Sequence, residues 1–250
     1  GKSTMTPTQD VALGIYYLTI PSQQDKLAGR IAGKSKPATG EHLPLIGTAD
    51  EAHLALAEGA VTLHTRVRFR NPDSGKPVRR YGSSEANVIE TTVGLIVFNE
   101  IWPAELGFVN DKIDKSKLGD LILHCYQVSG HERTVRVLDQ LKEIGFTYAC
   151  LAGISMGLKD MIRPPEKDEL LAIANAEVEK VVKQHHLGVI TDGERHNKIC
   201  DIWNSTTERV ADELYKAIDL NVSPLNPAPA ETNPVFMMVD SKARGSKAQI

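Results

Sequence analysis

From Pro164 to Leu220 the chain reads PPEKDELLAIANAEVEKVVKQHHLGVITDGERHNKICDIWNSTTERVADELYKAIDL, and this stretch decides the fold. Pro164-Pro165 can open a helix, because a first-turn residue needs no amide hydrogen bond. Glu166, Asp168 and Glu169 then stand where the helix dipole is positive. Leu170, Ile173, Ala174, Val178, Val181, Val182 and His185 recur at three- and four-residue steps, so one stripe is apolar. Gly188 is a natural stop. Thr191-Asp192-Gly193-Glu194 has the Ser/Thr-x-x-Glu form of a capping box for a second helix, which carries Ile199, Ile202, Thr206, Val210, Leu214 and Ile218 at the same spacing. With so short a turn the two stripes must face each other. The pair is charged outside and narrowly apolar inside, which suits a projecting arm; one pair from an ordinary bundle is the plainer alternative.

Outward from this hairpin the totals set bounds. A chain of 250 residues can bury a sizeable core and hold one or two domains. Net charge is -3, so there is no overall basic footprint for nucleic acid. No apolar run approaches the roughly 20 residues needed to span a bilayer, and no secretory signal opens the chain. Cys125, Cys150 and Cys200 are odd in number and widely spaced, which fits reduced thiols and argues against a disulfide frame or a zinc site. The chain lacks an initiator Met and breaks off in mid-pattern, so a piece of something longer is expected.

Upstream, Gly1-Lys2-Ser3-Thr4 mimics the end of a phosphate-binding loop, but its glycine and strand are missing and Pro7 blocks the following helix. Val11 to Leu18 is a helix or a buried strand, which periodicity cannot separate. Pro21 to Pro44 reads as a mobile loop. Thr48-Ala49-Asp50-Glu51 is a second capping box, opening a helix that Gly59 closes. Val61 to Arg70 alternates as a strand, with His64, Arg66, Arg68 and Arg70 on a basic face that is either solvated or anion-binding. Asn71 to Ser84 is loop, Val88 to Phe98 is β-branched and apolar, and Pro103 ends what begins there. Two helices follow, one capped by Gly130 and one, from Thr134 to Ile144, closed by Gly145; Phe146 to Gly157 is a connector. Beyond Leu220 a Pro- and Asn-rich linker leads to the apolar run Val235 to Val239, expected as a strand, and to a basic tail, Asp240 to Lys247, able to hold a phosphate or stay solvated. No nucleophile triad and no paired metal-ligand spacing can be picked out; His185 and His186 point about 100° apart on a helix and cannot chelate one ion. Glu194 to Lys198 clusters ionisable groups at the hairpin tip.

Several of these stretches together resemble the largest catalytic subunit of multisubunit DNA-directed RNA polymerase, the bacterial β′ family. They are Pro7 to Thr19, Thr91-Thr92-Val93-Gly94 with Phe98-Asn99-Glu100-Ile101, Ala152-Gly153-Ile154-Ser155, Gly193 to Lys198 through Asp201-Ile202-Trp203, and Phe236 to Ser241 with Ala243-Arg244-Gly245-Ser246. The blocks keep the family's order across nearly the whole chain. The resemblance implies an α+β fold: a pore region over 1–153, a funnel helical hairpin over 154–222 that rims the secondary channel, and over 223–250 a linker and the start of the next active-site-proximal domain. It implies that Gln9, Met238 and Arg244 lie near the incoming nucleotide, with Arg244 facing its triphosphate. Asn197, Lys198 and Asp201 match rim-helix positions that in some bacteria contribute, with a bound factor, to an alarmone site. Departures fall at Leu95, His196 and Lys242, where the family usually has Arg, Tyr and Gly.

The family's Asn-Ala-Asp-Phe-Asp-Gly-Asp loop, whose aspartates hold catalytic Mg2+, is absent from these residues and would lie upstream. No catalytic or metal-binding residue is therefore expected here, and the segment alone should be inactive. Partners implied are the other polymerase subunits, nucleoside triphosphates, DNA and RNA through the whole complex, and secondary-channel transcription factors. No membrane is implied, and the setting is cytoplasmic and nucleoid-associated. The rival from another class is a non-catalytic helical-hairpin adaptor.

Overall fold

The computed structural model describes residues 6–21, 43–77, 80–220 and 232–246. The Gly1–Thr4 stretch, most of the Pro21–Pro44 loop, the linker over 221–231 and the tail beyond 246 lie outside them. The described residues fall into two units, one within 1–155 and 230–245 and one within 156–229 and 246–250.

In the first unit, α1 (Asp10–Thr19) resolves the helix-or-strand ambiguity of Val11 to Leu18. It is buried on nearly every side, from Val11 to Leu18 and on to Thr19, which is why it carries no polar stripe for periodicity to find. Next come β1 (Leu45–Ile46), α2 (Ala49–Ala57), β2 (Arg66–Arg70), β3 (Val88–Thr92) and α3 (Val93–Asn99). Thr48 caps α2 as expected, its hydroxyl accepting from Glu51 N at 3.3 Å. The reciprocal half differs: the Glu51 carboxylate accepts from Gly47 N at 2.6 Å instead. The strands form a small mixed sheet in the order β1-β2-β3, parallel then antiparallel. Alternation holds only over Arg66–Arg70, where Val67 and Phe69 are buried and Arg68 and Arg70 exposed. His64 is not on a solvent face: its Nδ1 stands 3.1 Å from Ile20 O and its ring meets Tyr17 edge-on. Arg66 pairs across strands with Glu90 at 2.7 Å, so part of the basic face is already neutralised.

α4 (Lys115–Ala152) is two arms joined at Gly130, whose φ of 77° is open to glycine. Thr134 Oγ1 reaches Cys125 Sγ at 3.7 Å, whereas nine residues of unbroken helix would hold them roughly 13 Å apart along the axis. The chain therefore reverses at Gly130, as its C-cap reading predicts. Gly145 does not close the second arm, which runs on to Ala152 and ends at Gly153 in the left-handed region. A Cβ on Gly14 would stand 1.9 Å from Gly145 O, and one on Gly94 would stand 1.9 Å from Leu18 O. Helix α1 thus lies against α4 and α3 with backbone touching backbone. Val11, Ile15 and Leu18 reach one core with Phe98, Leu118, Leu121, Val137 and Leu141. A second core lies under the sheet with Ile46, Val67, Phe69, Ala52 and Ile96.

The second unit is the hairpin, α5 (Lys167–His186) and α6 (Asp192–Leu220). Pro164 and Pro165 precede α5 instead of opening it, with Glu166 as the N-cap. Ala174, Thr206 and Ile218 are buried as the spacing predicts, but Ile173 points outward at 42% exposure. Gly188 N donates to His185 O at 2.9 Å and Val189 N to Gln184 O at 3.0 Å, a Schellman ending with Gly188 at φ 71°. The capping box of α6 forms in full: Thr191 Oγ1 accepts from Glu194 N at 3.3 Å and Thr191 N donates to Glu194 Oε2 at 2.9 Å.

Back in the first unit, the run Val235 to Val239 is not a strand but α7 (Pro234–Asp240). Asn233 Oδ1 accepts from Val235 N at 2.9 Å and Pro234 sits in the first turn, a start signal that outweighs a five-residue apolar run. The mixed helical and sheet content is the α+β class expected.

Candidate functional site

Sequence positions 9–10 and 238–244 meet in one place. Arg244 Nη2 lies 3.5 Å from Asp10 Oδ1, both side chains more than half exposed. Gln9 immediately precedes Asp10 as the N-cap of α1, exposed, with φ 52° and ψ -123°. That conformation is disfavoured for an L residue and costs on the order of 1–3 kcal/mol, so the surroundings must impose it. Met238 is half-buried and packs against the cluster of Leu13, Tyr16, Ile20 and Met237. Gln9 and Arg244, singled out from sequence, thus meet at the start of α1, while Met238 packs further along the same helix. Asp10, Tyr16, Lys112 and Asp240 were not singled out.

The turn after α7 is tied down by polar contacts from distant sequence. Tyr16 is fully buried, and its hydroxyl donates to Asp240 Oδ2 at 2.5 Å. Lys112 pairs with the same oxygen, and its ammonium stands 5.5 Å from the Tyr16 ring centre. A buried Tyr needs a partner for its hydroxyl, and this was the legible signal in an otherwise apolar run. Lys115 N donates to Ser241 O at 3.1 Å, and Arg244 N to Met238 O at 3.2 Å. Lys242 occupies the left-handed region at φ 57°, which explains why a glycine suits this position. Its ammonium donates to Asp114 Oδ2 at 2.7 Å and to Ser116 Oγ at 3.0 Å. Burial pushes the Asp114 carboxyl up, but the Lys117 amide and the Lys242 ammonium together outweigh it and hold the carboxyl below its ordinary value. Arg244 is an exposed cation on a turn that follows a helix and not the expected strand, with one long ion pair.

On α6, Asn197, Lys198 and Asp201 are all exposed. With Glu194 they stand at three- and four-residue steps and share a stripe. The Thr191 amide and hydroxyl, with Lys198 beyond, hold the Glu194 carboxyl below its ordinary value. Arg195 leaves the stripe and pairs with Asp192 at 3.0 Å; His185 reaches the same Asp192 oxygen at 3.3 Å, while His186 is exposed. His196 Nε2 stands 3.6 Å from Cys200 Sγ. The turn between the helices leaves Leu187 and Val189 at 79% and 69% exposure. Among the described residues no cluster of three or more His, Cys, Asp or Glu could hold a metal ion. The described residues therefore do not fit a Mg2+ site. No helix among the described residues is long and apolar enough to cross a membrane.

Two family models match this chain: RNA polymerase Rpb1, domain 3, over residues 1–161, and RNA polymerase Rpb1, domain 4, over residues 190–250. Among similar curated proteins, the DNA-directed RNA polymerase subunit beta' of Opitutus terrae is 44% identical over 250 residues, which is all of this chain and 17% of that protein. The corresponding subunits of Methylacidiphilum infernorum and Pelotomaculum thermopropionicum are 43% and 38% identical, again over the whole chain and over 17% and 18% of their own lengths. The chain spans less than a fifth of the length of these relatives. With the domain 3 model alone covering more than half of it, the chain belongs to the Rpb1/β′ family of RNA polymerase largest subunits.

Proposed function

We propose that this chain works inside a DNA-directed RNA polymerase, as a wall of the secondary channel by which nucleoside triphosphates reach the active centre. In this reading residues 1–153 are the pore region, 154–222 the funnel hairpin at the channel rim, and 223–250 a linker and the start of the next segment. The whole enzyme is a DNA-templated nucleotidyltransferase of the bacterial cytoplasm and nucleoid. Its Mg2+ is held by residues of another part of the subunit, so this segment alone is inactive. Gln9, Met238 and Arg244 stand near the incoming nucleotide. Asn197, Lys198 and Asp201 face regulators that enter the channel, and with such a factor an alarmone. The adaptor reading loses its support, because the β′ relatives align along the whole chain.

The observation that carries this reading is the meeting of Arg244 with Asp10 across nearly the full length of the chain, beside Gln9. A guanidinium offers a fork that fits one phosphate bidentately, and this one is exposed with a contact long enough to exchange. Charge-assisted hydrogen bonds contribute roughly 1.5–3 kcal/mol, or about tenfold to a hundredfold in rate. In a polymerase carrying this segment, Arg244→Ala should lower kcat/KM for single-nucleotide addition by about that factor, with Arg244→Lys recovering part of it. Stalled elongation complexes at varied nucleotide concentration give the measurement. Wild-type kcat/KM in the Ala variant would make Arg244 a solvated surface residue.

A further inference from the structure

The described cations of the turn after α7 are used in opposite ways. Arg244 makes one long contact, 3.5 Å to Asp10, open to solvent. Lys242 is committed: it adopts φ 57°, a backbone state disfavoured for an L side chain, and its ammonium binds Asp114 at 2.7 Å and Ser116 at 3.0 Å. Asp114 is itself the N-cap of α4, accepting from Lys117 N at 2.8 Å, so the tether ends on a fixed point. Glycine would hold the same backbone with less strain but could not reach Asp114.

We propose that Lys242 is a positioning residue. Its tether to Asp114 and Ser116 fixes the turn that presents Arg244, leaving the guanidinium with only the exchangeable Asp10 carboxylate to surrender when a triphosphate arrives. This rests on the reading of Arg244 given under Proposed function. Without this tether the turn keeps only its contacts through Asp240, Ser241 and the Arg244 amide, the guanidinium samples more orientations, and the incoming phosphates must order it at the moment of binding. The loss therefore falls on nucleotide capture and passes through Arg244.

The test is a double-mutant cycle in a polymerase carrying this segment, read by single-nucleotide addition. Lys242→Gly keeps the left-handed backbone, with less strain, and removes the tether. It should lower kcat/KM by about three- to tenfold, mainly through KM, and Lys242→Arg should restore most of the loss. In an Arg244→Ala background Lys242→Gly should have no further effect. A Lys242→Gly enzyme equal to wild type overturns the inference, and so does an equal loss with and without Arg244, which marks a merely structural role. If Arg244→Ala itself leaves kcat/KM unchanged, the failure lies in the reading of Arg244 and takes this inference with it.

Discussion

Asp114 shows how one carboxylate can serve two elements. It caps the first arm of α4 through Lys117 N and anchors Lys242 from the far end of the chain. Burial raises its pKa, and the amide and ammonium partners lower it further than burial raises it, so the folded value lies below the unfolded one. The linked stability is fully present above the unfolded pKa and is lost as pH falls through the folded one. Asp114→Asn keeps a good cap but removes the charge. It should cost about 1 kcal/mol at neutral pH, and the gap from wild type should close as pH falls through the lowered folded pKa of Asp114. Urea unfolding across pH checks this; a gap that stays constant down to pH 2 would rule out the charge as its source. Sequence legibility at this scale was uneven. Lys242 stood out against the glycine usual in the family, and its positive φ supplies the reason. Its partner Asp114, like Asp240 for Tyr16, could not be read, because pairs more than a hundred residues apart leave no local pattern.

At the scale of elements, glycine carried two meanings that spacing could not separate. Gly130 and Gly188 end helices at positive φ, as read. Gly145, also read as a stop, lies within a helix and is small because α1 passes over it: its added Cβ would stand 2.6 Å from Val11 Cγ1 and 2.9 Å from Val11 Cα. Nothing in a single sequence separates a glycine that frees φ from one that admits a neighbouring backbone. Gly14→Ala would place its Cβ 1.9 Å from Gly145 O and 2.7 Å from Ala149 N, atoms that cannot rotate away. The variant should lose about 1–3 kcal/mol, although alanine is the better helix former by about 1 kcal/mol. Gly119→Ala is the matched control, since its Cβ would meet only the Thr6 side chain at 3.5 Å, an ordinary contact. It should gain about 0.5–1 kcal/mol. Denaturant midpoints at unchanged slope decide it; equal shifts in both variants would show that α1 does not ride on Gly145.

At the scale of the whole molecule, the described residues fall into two units, a mixed one and a helical hairpin, and how stability divides between them was not legible in the sequence. Hydrophobic spacing tells which face is buried, not how deeply. The first unit encloses layered cores in which Ile15, Tyr16, Leu18, Phe98 and Leu141 are sealed from solvent. In the second, the buried apolar residues among those described are Ile162, Pro164, Ala174 and Ile218, and most seam positions are half-buried. At roughly 25 cal/mol per Å² of apolar surface removed from water, the thinner interior supports less stability. Paired helices are still far better than single ones, which are marginal in water at this length. Calorimetry of the chain should therefore show two transitions, the hairpin melting first. Ala174→Asp would bury a carboxylate in the seam and should abolish the lower transition while leaving the upper one in place. Ile173→Asp, one residue along on the exposed side, should move neither by more than about 0.5 kcal/mol. A single transition that Ala174→Asp shifts as a whole would mean that the two units unfold as one cooperative body, and the hairpin would then be no independent arm.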